Sequence, residues 1–194
     1  MLLSSAASTW VMLGELSLFD LVAVGDYLVR VNRAGYGRPN AGVPAFTTVA
    51  EMQDVLALGR WEGMVRLRKA LTLIREDSWS PRETTTRLTL VLAGLPEPEL
   101  NRDVFDKSGR FLACLDLAFV DYKVAVEYQG ELHAGSYAED VERIERLRAE
   151  GWIVLQVTRT LARQPGALVE RVATALRERG WEDRRKGAQQ AAPR

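Results

Sequence analysis

Two short apolar runs separated by a polar break constrain the fold of this chain more than any other stretch. They lie in the segment FLACLDLAFVDYKVAVEYQG, at 111–119 and 124–128. Both runs are rich in β-branched and aromatic residues, which is typical of strands. The break at Val120-Asp121 is short enough for a tight turn. The sequence therefore predicts a β-hairpin at the centre of the fold.

The pairing of these two strands sorts their side chains onto two faces. A connection of two residues, or of any even number paired symmetrically about Val120-Asp121, predicts Leu117 opposite Val124 and Leu115 opposite Val126. Side chains alternate along a strand, so one face is expected to be apolar and the other to carry most of the polar groups. The apolar face comprises Leu115, Leu117, Phe119, Val124, Val126 and Tyr128. The second face comprises Cys114, Asp116, Ala118, Lys123, Ala125, Glu127 and Gln129.

Two carboxylates share the second face. In this register Asp116 lies diagonally across from Glu127, with about 7 to 8 Å between their backbones. Like charges at this spacing must be offset by a metal ion, a proton or a basic partner. Mg²⁺ typically takes one or two carboxylates together with water and phosphate oxygens. The pair indicates a site for one hard cation, and the alternative is two carboxylates on an exposed strand surface.

The composition excludes several classes of protein. The 194 residues include 26 basic and 26 acidic side chains, so a globally basic nucleic-acid footprint is absent. A single cysteine excludes an internal disulfide framework and favours a reducing cytoplasm. With one histidine beside it, a structural zinc site is not expected. No apolar run is long enough to span a bilayer and no secretory signal is evident, so we expect no membrane partner.

The first part of the chain, 1–77, is predicted to be helical. Apolar residues recur at helical spacing over 17–31, after a shorter helix at 9–16. A loop rich in glycine and proline follows at 32–46, and Thr48 with Glu51 has the spacing of a capping box. The next helix, around 64–74, is basic, and its charges either face solvent or contact phosphates.

The strongest helix start in the sequence is Ser80-Pro81-Arg82-Glu83. Serine is a preferred N-cap, proline fits the first helical position, and a glutamate at the third completes the cap. Glu83 is therefore explained as a capping residue, and a catalytic role is the alternative.

The remaining elements predict the fold class. A first strand at 100–105 precedes the hairpin, and a helix at 137–150, a strand at 152–157 and a last helix from 164 to about 180 follow it. A strand that returns after a helical crossover normally lies parallel to a neighbour. The sequence thus predicts an α/β fold, a mixed four-stranded sheet flanked by helices, with a helical N-terminal region. The segment 182–194 is predicted to be a disordered tail.

This arrangement resembles the PD-(D/E)XK nuclease superfamily, with its restriction-endonuclease-like fold, and more closely a bacterial family of uncharacterised domains related to very-short-patch-repair (Vsr) endonucleases. The resemblance covers about 78–181 and depends on the order and spacing of short motifs. These are Ser80-Pro-Arg-Glu83, Gly94-Leu-Pro, Asp116, Glu127-Tyr-Gln-Gly130, His133, Asp140 with Arg143, and Gly151-Trp152 at the start of the last strand.

The resemblance implies hydrolysis of a DNA phosphodiester bond assisted by Mg²⁺ or Mn²⁺. Asp116 and Glu127 are then the metal ligands, and Glu83 adds a third carboxylate directly or through water. His133 matches a histidine that acts in relatives as a base or phosphate donor, although a lone loop histidine is otherwise a surface residue. Asp140 and Arg143, at helical spacing, either form an ordinary salt bridge or face the site.

One residue departs from the superfamily pattern. Gln129 occupies the position of the motif's lysine, and an amide can orient a water but carries no charge. Lys123 is on the same predicted face and is a candidate substitute. Two functions are therefore possible. The first is a metal-dependent DNA endonuclease or nickase in repair or defence. The second is a catalytically inactive nuclease fold that serves as a DNA-binding or toxin-antitoxin-type regulatory module. A weaker third possibility is a structural partner protein that interacts through its N-terminal helices.

Overall fold

The computed structural model describes residues 4–38, 40–129 and 137–183 of the chain. Residues group into two compact units, 1–88 and 89–194. The division falls inside one helix, whereas the sequence analysis placed the boundary at residue 78. None of the described helices combines the length and the apolarity that a membrane span requires.

The first unit is helical, as predicted. Its elements are α1 (Ala6–Val11), α2 (Leu18–Val29), α3 (Val49–Ala57), α4 (Met64–Leu73) and the beginning of α5 (Pro81–Leu92). The predicted capping box of α3 is confirmed, because the Thr48 hydroxyl accepts from Glu51 N–H while the Glu51 carboxylate accepts from Thr48 N–H. The fully buried Trp10 donates its indole N–H to the Leu21 carbonyl at 2.9 Å and so fixes α1 against α2.

A buried polar network crosses this helical core. The Asp26 carboxylate accepts from Arg75 N–H at 2.7 Å and from the Thr84 hydroxyl at 2.7 Å, and it lies 3.5 Å from Nη2 of Arg87. The side chains of Asp26 and Arg87 are 2% and 0% exposed. Burial raises the pKa of Asp26, while hydrogen bonds with Arg75, Thr84 and Ser78 and the charge of Arg87 oppose that rise. The network therefore stabilises the unit only while both charges keep their partners.

The second unit is a mixed four-stranded sheet flanked by helices, which confirms the predicted α/β fold class. Its strands are β1 (Glu99–Phe105), β2 (Phe111–Phe119), β3 (Val124–Tyr128) and β4 (Ile153–Val157), and they lie side by side in that order. The first three pair antiparallel, while β4 is parallel to β3 after the crossover through α6 (Tyr137–Ala149). Two helices follow, the unpredicted short α7 (Arg159–Ala162) and α8 (Pro165–Glu178).

Helices cover both faces of the sheet. Leu117, Phe119, Val124 and Val126 pack in one apolar cluster with Leu168, Val172 and Leu176 of α8. Ala118, Ala125 and Val154 pack in another cluster with Ile144 and Leu147 of α6. Since Val124, Ala125 and Val126 alternate along β3, the two clusters lie on opposite faces. Val141, three residues before Ile144 on α6, is 41% exposed and lies outside this cluster.

The hairpin forms with a register that differs from the predicted one by two residues. Leu117 pairs with Val126 and Phe119 with Val124, instead of Leu117 with Val124. The connection is a 3-10 turn at Val120–Tyr122 followed by Lys123, at φ 50°, rather than two residues. A shift of two residues preserves which side chains share a face. Leu117, Phe119, Val124 and Val126 therefore keep the common face that was predicted for them.

One residue of the predicted apolar face lies elsewhere. Leu115 packs in the α6-side cluster, and Leu117 packs in the α8-side cluster. The regular alternation breaks beside Asn101, whose φ is 47° and which lies across from Asp116 in the β1–β2 register. Asparagine tolerates this left-handed conformation better than most residues. The irregularity falls at the middle of the sheet, beside one of the two predicted metal ligands.

Candidate functional site

The predicted carboxylate pair lies at the end of the β2–β3 ladder. The observed β2–β3 pairs end at Leu117 and Val126, one residue short of Asp116 and Glu127. The charges of both acids act on Arg143, so the two carboxylates lie in one neighbourhood. Alternation along β3 puts Glu127 on the α6 side of the sheet with Ala125.

Asp116 is held by the backbone of the neighbouring strand. Its Oδ2 accepts from the Tyr128 backbone N–H at 2.9 Å. The carboxylate thus accepts, at the end of β3, a backbone hydrogen bond that a carbonyl of a neighbouring strand would otherwise accept from Tyr128. A hydrogen bond from a rigid strand fixes the orientation of this partly buried side chain. Asp116 is therefore positioned before any ligand arrives.

Glu127 is buried and paired with an arginine. The residue is 7% exposed, and Nη1 of Arg143 lies 2.8 Å from its Oε2 and 3.0 Å from its Oε1. Burial raises the pKa of the Glu127 carboxyl, and the Arg143 charge opposes the rise. For Arg143, burial works to lower the pKa, but the charges of Glu127, Asp140 and Asp116 outweigh it and the pKa is raised. The ion pair accordingly favours the charged form of the carboxylate, against the larger effect of burial.

Arg143 connects the sheet to the acidic start of α6. Its Nη2 lies 3.6 Å from Oδ1 of Asp140, one helical turn earlier. The salt bridge predicted from the spacing of Asp140 and Arg143 is therefore present. The same arginine also pairs with Glu127 on the sheet. The sequence analysis did not place Arg143 among the catalytic or metal-binding residues. Its spacing from Asp140 was the available signal, but it did not identify Glu127 as the second partner.

The other predicted site residues are distributed as follows. Gln129 follows β3, its backbone N–H donates to the Val157 carbonyl at 3.0 Å, and alternation places it on the Glu127 side. His133 and Gly130 lie outside the described residues. Glu83 belongs to the first unit, where its carboxylate accepts from Trp79 N–H at 2.9 Å and from the Ser80 hydroxyl at 2.8 Å. The capping role of Glu83 is confirmed, and its catalytic role stays a prediction.

Lys123 does not replace the missing lysine. It precedes β3 in the left-handed conformation, while Glu127 lies near the other end of that strand. Its Nζ donates to the Glu150 carbonyl at 2.8 Å, just beyond the end of α6. The hairpin connection is longer than predicted, so Lys123 becomes a turn residue. Cys114 is also explained structurally, because its thiol donates to the Asn101 carbonyl at 3.2 Å.

The donor set fits a hard divalent cation held mainly by water and substrate. Carboxylate oxygens are the ligands that Mg²⁺ prefers, and one or two of them suffice when phosphate oxygens complete the shell. Within the described ranges no cluster of three or more histidine, cysteine, aspartate or glutamate side chains is arranged to hold a metal ion. Asp116 and Glu127 supply two carboxylates, so water and phosphate oxygens would have to complete the shell of an ion held there.

Comparisons with known proteins identify two similar chains. The uncharacterised proteins Rv2248 (strain ATCC 25618 / H37Rv) and MT2308 (strain CDC 1551 / Oshkosh) of Mycobacterium tuberculosis are each 31% identical to this chain over 132 residues. The aligned part is 66% of this chain and 48% of either relative, so the chain spans about half the length of the curated relatives it matches. No family model matches the chain. No solved structure matches it either.

Proposed function

We propose that this chain hydrolyses phosphodiester bonds of DNA with the help of Mg²⁺ or Mn²⁺, as an endonuclease or nickase acting in repair or defence in a reducing cytoplasm. The proposal rests on the Asp116 carboxylate, which accepts from the Tyr128 N–H beside the buried Glu127 and so brings two acids to the end of the β2–β3 ladder. Two neighbouring acids need a positive partner. Arg143 supplies one, because it pairs with Glu127 and its charge also interacts with Asp116.

Each residue of the site has a distinct role in this proposal. Asp116 and Glu127 hold the divalent ion, and the Tyr128 N–H orients the Asp116 carboxylate for it. The ion, when bound, lowers the pKa of a coordinated water and polarises the phosphoryl group. Arg143 favours the ionised form of Glu127, which is the state that a metal ligand requires, against the burial that raises the pKa of this carboxyl. Gln129, next on the same face, orients a water through its side-chain amide.

A second candidate function is favoured by a specific observation. Nη1 of Arg143 lies within 3.0 Å of both carboxylate oxygens of Glu127. An arginine that permanently occupies these oxygens replaces a metal ion with an internal ion pair. Together with Gln129 in place of the motif's lysine, this arrangement favours an inactive nuclease fold that binds DNA as a regulatory module.

Metal binding separates the two candidates. We expect the wild-type chain to bind one Mn²⁺ in a titration followed by electron paramagnetic resonance. Asp116→Asn should bind Mn²⁺ about tenfold or more weakly, since even partners outside the ligand shell are worth that much to metal affinity. The control Asp121→Asn makes the same charge change at an exposed turn residue and should bind like the wild type. If both variants bind Mn²⁺ with equal affinity, or if the wild type binds no Mn²⁺, the result favours the inactive DNA-binding module.

A further inference from the structure

Three arginines of the helical unit converge on one tryptophan. The guanidinium carbons of Arg30, Arg33 and Arg38 lie 5.3, 5.9 and 4.8 Å from the ring centroid of Trp79. Cations within about 6 Å of an indole face are attracted by its quadrupole. This cluster, here called the Arg–Trp cluster, joins the end of α2, the loop after it and the segment just before α5.

The Arg–Trp cluster lines a cavity of about 180 Å³. The described lining residues comprise the four members of the cluster together with asparagine, glycine and alanine, and include no carboxylate. Nε of Arg33 bonds Oδ1 of Asp77 at 3.0 Å, so at least one acid lies beside the three guanidinium groups. Like charges at close range repel and are stabilised by an added anion. The cavity thus has the charge of an anion site.

Two donors of the cluster lack acceptors. Nε of Arg30 and Nε1 of Trp79 are buried and have no hydrogen-bond partner among the described residues. A buried donor without a partner costs on the order of 1 to 3 kcal/mol, more when it is charged, so native proteins rarely keep one without a reason. Small shifts of these two side chains towards an acceptor in the cavity relieve that cost. The cluster therefore has hydrogen-bonding capacity that its own residues do not use.

We propose that the Arg–Trp cluster binds a phosphate group of a DNA strand. Planar guanidinium groups match the oxygens of phosphate in pairs, which makes arginine the usual residue for this anion. The cavity is smaller than the roughly 300 Å³ at which pockets for whole small molecules begin, so it suits one phosphate group. Taking DNA as the source of the phosphate rests on the proposed function, while the anion site itself rests on the cluster alone.

The test measures DNA binding without cleavage. Binding of a short fluorescein-labelled duplex is followed by anisotropy in excess chelator for the wild type, Arg30→Gln and Arg38→Gln. We expect each variant to bind about tenfold more weakly, since a charge-assisted hydrogen bond is lost. Each should also lower the slope of log affinity against log salt by about one. Arg38→Lys keeps the charge without the planar group, so its DNA affinity should lie between those of the wild type and Arg38→Gln. Thermal melts check that the variants fold.

Arg68→Gln is the matched control, because Arg68 is exposed on the basic helix α4 of the same unit. Its DNA affinity should equal that of the wild type. Weakening by Arg68→Gln with no effect at Arg30 or Arg38 overturns the proposal and assigns phosphate contact to α4. If the cluster variants lose the binding of inorganic phosphate but bind DNA like the wild type, the cluster is a site for a small anion. That result also overturns the proposal. Absence of DNA binding in the wild type also overturns the proposal. Metal binding at Asp116 is measured separately, by the Mn²⁺ titration, so the two proposals can fail independently.

Discussion

Replacing Glu127 with glutamine is expected to lower the rate of DNA cleavage by about 100-fold or more, since about 3 kcal/mol of lost transition-state stabilisation corresponds to that factor. The substitution preserves the shape of the side chain and removes the negative charge that a divalent ion requires. Glu127 is 7% exposed, so water replaces the lost ligand poorly. Arg143 is 27% exposed and stays hydrated after its partner is neutralised. The variant should therefore fold and lose activity.

Plasmid cleavage in Mg²⁺ measures this effect, and Asp121→Asn provides the control. Asp121 is exposed in the 3-10 turn and belongs to the same hairpin. Its substitution should leave the rate within about twofold of the wild type, as expected for a surface change away from a site. Wild-type cleavage by Glu127→Gln, with an unchanged melting temperature, contradicts the assignment of Glu127.

Replacing Arg87 with methionine is expected to lower the free energy of unfolding of the helical unit by about 3 to 5 kcal/mol, the cost of leaving one member of a buried ion pair alone. Arg87 is fully buried beside Asp26, and its Nη2 also donates to the Leu73 carbonyl at 2.7 Å. Methionine fills much of the volume but supplies no donor. Burial already raises the pKa of Asp26, so this carboxyl becomes protonated more readily without Arg87.

Urea denaturation followed by tryptophan fluorescence measures this change. The control is Arg82→Met on the same helix, where the side chain is exposed and the expected loss is under about 1 kcal/mol. Adding Asp26→Asn to the Arg87 variant removes the uncompensated charge and should recover part of the loss. Equal stability of Arg87→Met and Arg82→Met contradicts the role given to the network.

Local patterns in the sequence were sufficient to predict most elements of the fold. Ser80 and Glu83 signal a helix start because capping depends on residues three apart. The shared face of Leu117, Phe119, Val124 and Val126 was predictable despite the wrong register, because only a shift by an odd number of residues exchanges the faces of a strand. The length of the connection at Lys123 was not predictable, since its left-handed conformation has no signal in a lysine.

Contacts between distant segments were beyond the reach of these patterns. The spacing of Asp140 and Arg143 predicts their mutual contact but not the second contact of Arg143 with Glu127, which depends on how α6 packs on the sheet. The Arg–Trp cluster joins a loop rich in glycine to Trp79, about 40 or more residues later, and no periodicity relates them. A site that is assembled by tertiary packing therefore cannot be located from local sequence patterns alone.

The measurement that tests the central claim most directly is conversion of supercoiled plasmid by the wild-type chain while Mg²⁺ is removed with chelator and then restored. Asp116→Asn, purified in the same way, is measured beside it. Our proposal predicts cutting by the wild type that stops in chelator and returns with Mg²⁺ or Mn²⁺, and no cutting by the variant at any stage. Equal cutting by the variant, or no cutting by the wild type with either metal, contradicts it.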